Sequence, residues 1–313
     1  MAPLVSVVMP VYNQEPYLAE TIESVLAQSF EGFEFLIADD GSTDNSAQII
    51  RTYAAKDDRI RAYYESNSGK CATTNRLVGR AQGLWCAFLD ADDVMLPKRL
   101  EKQWKFHMTY PEVDASSCHC YYIDSQGHPL GIQRYRSLKN INEALQATAE
   151  HTFIHCAFTG LMIRRLAYLQ TGGLKAQFWP SEDFELANRL LDEGFLLVII
   201  QEVLMKYRIH QASITARKPF HMFDMTGWIM YCFGERRAGR PDISFEEFMA
   251  LRHQEPWWVK WSRKRHNYSQ IFLRDASFAL FCRAYLSFSW LAILGSCLAP
   301  HYALTLIRNR LKE

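Results

Sequence analysis

The chain carries almost no net charge: 35 Lys and Arg stand against 34 Asp and Glu, which leaves +1 at pH 7. A balance this close to zero gives no global basic field, so nucleic acid is not an expected partner. The eight cysteines include no Cys-x-x-Cys pair. The one tempting cluster, Cys118-His119-Cys120 with His155-Cys156, has a spacing that suits no common zinc site and is explained as well by alternation along a strand. No secretory signal is evident, since Met1 leads almost directly into an apolar run, and reduced thiols in a cytoplasmic setting are the expectation. Internal repeats and low-complexity stretches are absent. Gly69-Lys70 sits in no Walker A pattern, which weighs against a P-loop ATPase. What remains is an ordinary globular composition, 49% hydrophobic and 22% charged over 313 residues, long enough for one large or two modest domains.

Apolar runs at Leu4 to Met9, Phe33 to Ala38, Ile60 to Tyr64 and Trp85 to Leu89 read as buried strands, and helical periodicity follows each of the first three at about 17–28, 45–56 and 71–82. Strand and helix alternating four times in a hundred residues call for an α/β fold, a mostly parallel sheet with helices on both faces. Right-handed crossovers bring the loops after these strands to one edge, where ligands bind in open α/β sheets. Pro10, Tyr12, Asp39, Asp40, Asn67 and Asp90 to Asp93 are therefore expected to line one cleft. Beyond Pro111 the pattern is mixed: strands over 113–123, 157–163, 195–200 and 203–210, and helices over 142–150 and 182–193. It changes again after about Arg217, where we place a boundary between a catalytic domain of residues 1–217 and a helical region of residues 218–313.

The sharpest feature is Phe88-Leu89-Asp90-Ala91-Asp92-Asp93, an apolar strand that ends in three carboxylates. Asp90 and Asp92, two residues apart, point to one side of an extended chain. Their mutual repulsion is relieved by a hard divalent cation, Mg²⁺ or Mn²⁺, that takes one or two carboxylates and completes its shell with phosphate oxygens and water. The same residues would also make a solvated acidic turn that caps the helix starting near Pro97.

Taken together, Val5-Ser6-Val7-Val8-Met9-Pro10-Val11-Tyr12-Asn13, Asp39-Asp40-Gly41-Ser42-Thr43-Asp44, Asp90-Ala91-Asp92-Asp93, Ser181-Glu182-Asp183 and Tyr207-Arg208-Ile209-His210 resemble, in order and spacing, the family 2 glycosyltransferases. These are inverting enzymes with a GT-A fold, and the resemblance covers about residues 4 to 215. It implies that Tyr12, held after Pro10, stacks on a nucleotide base while Asp39 accepts from a base N–H, with Asp40 and Asn67 beside them as donor contacts. It implies that Asp90 lies nearer the ribose or sugar, that Asp92 and His210 hold the metal around the Asp90-Ala91-Asp92 motif, and that Asp183, with Glu182 as nearest rival, is the base. Arg208 is expected at phosphate or paired with a buried acid. The helix dipole lowers the pKa of an acid at the start of a helix and burial raises it, so both outcomes stay open for Asp183. Capping roles are the alternative for Asp39, Asp40 and Asp183.

In the tail, Trp257, Trp258, Trp261, Tyr268 and Phe272 fall within one third of a helical wheel, with Lys260, Arg263 and Lys264 set against them, the pattern of a helix lying in a membrane interface. No Lys, Arg, Asp or Glu occurs between Arg283 and Arg308. Polar residues and Pro300 interrupt this stretch, so two short helices broken at Pro300, lying on the membrane or packing on the catalytic domain, are favoured over a span, and a soluble helical subdomain with core aromatics is the alternative. The sequence thus reads as a metal-dependent inverting glycosyltransferase at the inner face of the cytoplasmic membrane. It would use a nucleotide-sugar donor, UDP-linked by expectation, and a glycan or lipid-linked acceptor. Two rivals are a nucleotidyltransferase of similar sheet and a non-catalytic sugar-nucleotide or glycan-binding module.

Overall fold

A computed structural model describes residues 2–210 and 218–310. The boundary expected near Arg217 lies outside the described residues. The chain divides into two compact units, residues 1–127 with 132–208 and residues 128–131 with 209–313.

The first unit opens with β1 (Val5–Val11), α1 (Glu15–Leu26), β2 (Phe33–Asp40), α2 (Ser46–Ala54), β3 (Ile60–Glu65), α3 (Lys70–Arg80) and β4 (Trp85–Phe88). It continues with β5 (Val94–Met95), α4 (Arg99–Thr109), β6 (Ala115–Ile123), α5 (Ile141–Ala149), β8 (Met162–Arg164), α6 (Arg165–Gln170), α7 (Glu182–Asp192) and β9 (Leu197–Arg208). A short strand, β7 (Pro129–Gln133), straddles the division between the units. The β-branched and aromatic runs make strands because both faces of the sheet are covered: every residue of β2 and β4 is buried, which is why these runs lack polar alternation.

Eight strands follow one another in the order β3-β2-β1-β4-β8-β6-β9-β5. The first four are parallel, as the alternation predicts. The rest is mixed, since β8 runs antiparallel to both β4 and β6 and β5 runs antiparallel to β9. The two strands expected at 195–200 and 203–210 are one continuous strand, β9, whose register against β6 shifts on either side of His119. A bulge absorbs the exposed Gln201 and Glu202 without ending the strand. Three elements have no clear signal in the sequence. β5 is two residues long, β7 five and α6 six, too short for either periodicity to register.

Register puts the expected cleft at one edge. Val11 lies opposite Asp39, Asp39 opposite Tyr64, and Val8 opposite Phe88, so the loops after β1, β2, β3 and β4 emerge side by side. The close approach of two of them fixes Gly41. Its φ is +74°, and a Cβ there would stand 2.8 Å from the Asn67 backbone nitrogen, so only glycine fits.

From residue 218 onward the described residues of the second unit are helical: α8 (Pro219–Arg237), α9 (Phe245–Gln254), α10 (Trp257–Phe281), α11 (Tyr285–Leu298) and α12 (Pro300–Arg310). A Ser244–Glu247 capping box starts α9. Pro300 opens α12, as the sequence predicts, and a further break at 282–284 separates α10 from α11. Among the described residues no helix is long and apolar enough to cross a membrane.

Candidate active site

The end of β4 is held by a buried arginine. Arg99, at the start of α4, donates to the carbonyls of Phe88 and Leu161 at 3.1 and 3.0 Å and to Gln103 Oε1 at 3.0 Å. Burial brings its pKa down to about 10. The acidic loop that follows is pinned by a second buried arginine. Arg208, at the end of β9, donates its backbone N–H to Asp93 Oδ1 at 2.8 Å and its Nε to the Asp92 carbonyl at 2.8 Å. Its guanidinium also reaches the carbonyls of Asp124 and Ser125 and meets Glu20 Oε2 at 2.5 Å, and it lies 4.8 Å from the centre of the Tyr17 ring. Its guanidinium thus pairs with Glu20, an exposed acid rather than a buried one, and with three loop carbonyls.

Within this loop the three acids separate. Asp93 is buried, and burial together with the charges of Asp92 and Asp90 holds its carboxyl well above the usual range; it supports the loop. Ala91 is buried too and its carbonyl accepts from Thr21 Oγ1 at 3.1 Å, so this residue serves the loop's anchorage to α1. Asp90 and Asp92 stay partly exposed.

Asp90 is joined to Glu182, the chain neighbour of the candidate base, by a residue that motif reading passed over. Lys70, first residue of α3, places Nζ 2.8 Å from Asp90 Oδ1 and 3.5 Å from Glu182 Oε1, and 4.4 Å from the centre of the Phe158 ring. Burial alone would lower the Lys70 pKa, but the charges of Asp90 and Glu182 keep it well above the ordinary value. The available signal was a lone lysine after Gly69 in a turn, which carries no meaning until α3 brings it between two carboxylates.

Glu182 and Asp183 open α7, where Ser181 stands at the N-cap position without a side-chain cap hydrogen bond. Glu182 is 3% exposed and faces Lys70, whereas Asp183 is partly exposed and accepts from the Phe184 N–H at 2.7 Å. Burial and the neighbouring Glu182 charge push the Asp183 carboxyl up to about 7, against the pull of Lys70. Burial, one of the two effects left open for this helix start, is the larger cause of that upward shift. A loop behind α7 is fixed by Arg189, which pairs with Glu185 at 2.9 Å and donates to the carbonyls of Thr171 and Gly173.

On the nucleotide side, Tyr12 is 49% exposed and Pro10 partly buried at the end of β1. Asp39 is buried with its Oδ1 lacking any hydrogen-bond partner among the described residues, while Oδ2 accepts weakly from the Ser42 N–H at 3.4 Å. An unpaired buried acceptor costs roughly 1–3 kcal/mol, a cost that a ligand N–H would remove. Asp40 behaves differently. It accepts from Ser68 N, Gly69 N and Thr73 Oγ1 at 2.8–2.9 Å, so its carboxylate holds the start of α3. Asn67 is exposed on the same loop. His210, two residues beyond β9, belongs to the second unit.

Residues 6–171 match the family model described as glycosyl transferase family 2. The chain belongs to that family. Among curated relatives of this glycosyltransferase, one from Methanocaldococcus jannaschii, named only as an uncharacterized glycosyltransferase, is 35% identical over 66% of this chain and 71% of its own length. TuaG of Bacillus subtilis, named for teichuronic acid biosynthesis, is 35% identical over 69% of this chain and 83% of its own. Among solved structures, S. aureus TarS 1–349 in complex with UDP-GlcNAc superposes with a TM-score of 0.58 at 16% identity, over 93% of this chain and 90% of that one. The mannosyltransferase PcManGT from Pyrobaculum calidifontis, in complex with GDP-Man and Mn²⁺, gives 0.54 at 16% identity, over 100% and 80%. These likenesses establish the GT-A fold, and the family establishes glycosyl transfer as the activity.

A divalent cation fits this family 2 site in one way. Among the described residues no three His, Cys, Asp or Glu side chains gather to hold a metal, so an all-protein cage is not available. Asp92, partly exposed on the loop that Arg208 pins, would hold a cation that draws its remaining ligands from phosphate and water, which is the habit of Mg²⁺ and Mn²⁺.

Proposed function

We propose that this glycosyltransferase moves a sugar, with inversion, from a nucleotide-diphosphate donor to a hydroxyl of a polysaccharide or lipid-linked acceptor, with Mg²⁺ or Mn²⁺ at Asp92. The observation that carries the reading is the network Asp90–Lys70–Glu182, in which one lysine ties the acidic loop to Glu182, the chain neighbour of the candidate base Asp183. TuaG's name points to a polysaccharide product, the UDP and UDP-GlcNAc complexes of TarS favour a UDP donor, and the Mn²⁺ of PcManGT favours a metal.

The chemistry follows from the residues. Tyr12 offers an exposed ring for the base, and Asp39 Oδ1 an unpaired acceptor for a base N–H. The bound cation supplies charge stabilisation for the departing diphosphate. As the acceptor oxygen bonds to the anomeric carbon, the bond from that carbon to the diphosphate oxygen breaks and its electron pair leaves with the nucleotide. Asp183 takes the acceptor's proton. Glu182, buried against Lys70, holds Lys70 in place and is the poorer candidate for that proton. A nucleotidyltransferase would need a glycine-rich basic loop after β1, where this chain has Pro10-Val11-Tyr12-Asn13. Against a pure binding module stands an acid held near neutrality by its surroundings.

A thermal-shift panel of nucleotide sugars with and without Mn²⁺ tests the reading. A donor at 100 times its dissociation constant adds about 2.7 kcal/mol to wild-type stability. Asp92→Asn loses the Mn²⁺-dependent part, and Asp39→Ala loses roughly 1–3 kcal/mol of nucleotide affinity while keeping its own melting temperature. Equal Mn²⁺-dependent shifts in wild type and Asp92→Asn would reject the metal assignment.

A further inference from the structure

The charge of this chain is near zero only as a sum. From residue 209 onward there are fifteen Lys and Arg against eight Asp and Glu, whereas residues 1–208 carry twenty against twenty-six. The second unit is therefore strongly basic and the catalytic unit acidic, and the division follows the structural one.

On this basic unit lies an apolar face that its own helices leave uncovered. α11 contains no charged residue. One side packs on α10, where a Cβ on Gly295 would stand 2.7 Å from Leu273 Cγ and Ser269 Oγ donates to the Gly295 carbonyl at 2.7 Å. The opposite side carries Leu286, Trp290 and Ile293 at helical spacing, exposed by 88%, 67% and 56%. A water-facing helix surface is ordinarily polar, and this one is apolar on both sides.

We propose that this outward face of α11 inserts into the interface of an anionic lipid bilayer, with the basic residues of the second unit held over the headgroups. This rests on the reading above only in that it would bring the enzyme to a lipid-linked acceptor. Three observations select lipid as the occupant. α11 is 14 residues and α12 is 11, about 21 and 16 Å of helix, too short to cross roughly 30 Å of hydrocarbon but suited to lying in its boundary. Exposed tryptophans, which favour that boundary, recur at Trp257, Trp258 and Trp261 on α10 as well as at Trp290. The charge of the unit complements anionic lipid, and it would oppose pairing of this face with a second copy of itself.

The test is co-sedimentation of the full chain with vesicles of phosphatidylcholine alone and of phosphatidylcholine with phosphatidylglycerol. Wild type should pellet with the anionic vesicles and leave them as salt rises, and L286S/W290S/I293S should bind at least about tenfold more weakly. The variant's nucleotide-dependent thermal shift should match wild type, which certifies its fold and separates failure here from failure of the transferase reading. Equal vesicle binding by variant and wild type would overturn the proposal, as would a wild-type dimer that the substitutions dissociate, or wild type remaining in the supernatant with both vesicle types.

Discussion

At the scale of single residues, Asp183 couples stability to activity. With its carboxyl raised to about 7 from an ordinary value near 4, the folded state binds a proton that the unfolded state gives up. The stabilisation is complete below about pH 4 and is lost as pH rises through 7. A base must be ionised to act, so transfer should rise with pH through about 7 and level off above it, in the range where the fold is losing stability. A pH–rate profile with melting temperatures on the same samples checks both slopes; a rate independent of pH between 5.5 and 8 would contradict the role. How legible such residues were varies for physical reasons. Tyr12, Asp39 and Asp92 lie at or just beyond the ends of parallel strands on one edge of the sheet, and strand ends can be read from hydrophobic runs. Asp40 and Arg208 occupy family positions equally well, but their polar atoms are consumed by the Ser68–Gly69 turn and the Asp92–Asp93 loop. Lys70 went unread because its meaning lies in two partners 20 and 112 positions away along the chain.

At the scale of elements, the acidic loop depends on β9 more than on its own sequence. Arg208 ties it to the 124–125 turn and to α1 through Glu20. Substituting Arg208→Met keeps much of the buried volume and the backbone N–H that Asp93 accepts from, but leaves the carbonyls of Asp92, Asp124 and Ser125 without their side-chain donor and Glu20 without its partner. Losing one partner of a buried charged cluster typically costs about 3–5 kcal/mol, and we expect the lower end of that range because Glu20 is solvent-exposed and relaxes into water. Denaturant unfolding measures it, together with weaker Mn²⁺-dependent donor binding; unchanged stability would show that the loop holds itself. The helices and parallel strands of the first half were readable because period and burial agree there. β5, α6 and the continuous β9 were not, since they are set by pairing and by a bulge rather than by local pattern.

At the scale of the whole molecule, a family 2 catalytic unit of acidic balance is joined to a basic helical unit, and the near-zero sum hides the difference. The fold class followed from alternation alone. The activity needed the order of five motifs, and the site needed the geometry that sorts occupied carboxylates from available ones. The central claim is that Asp183, the partly exposed acid at the start of α7, is the base, with Glu182 holding Lys70 beside it. Its most direct test is donor affinity and single-turnover sugar transfer by Asp183→Asn and Glu182→Gln in the full chain. Asp183→Asn should bind donor within a few fold of wild type while transfer falls by roughly 10²- to 10⁴-fold, with a smaller loss for Glu182→Gln. Near-normal transfer by Asp183→Asn, or a larger defect in Glu182→Gln, would contradict the account.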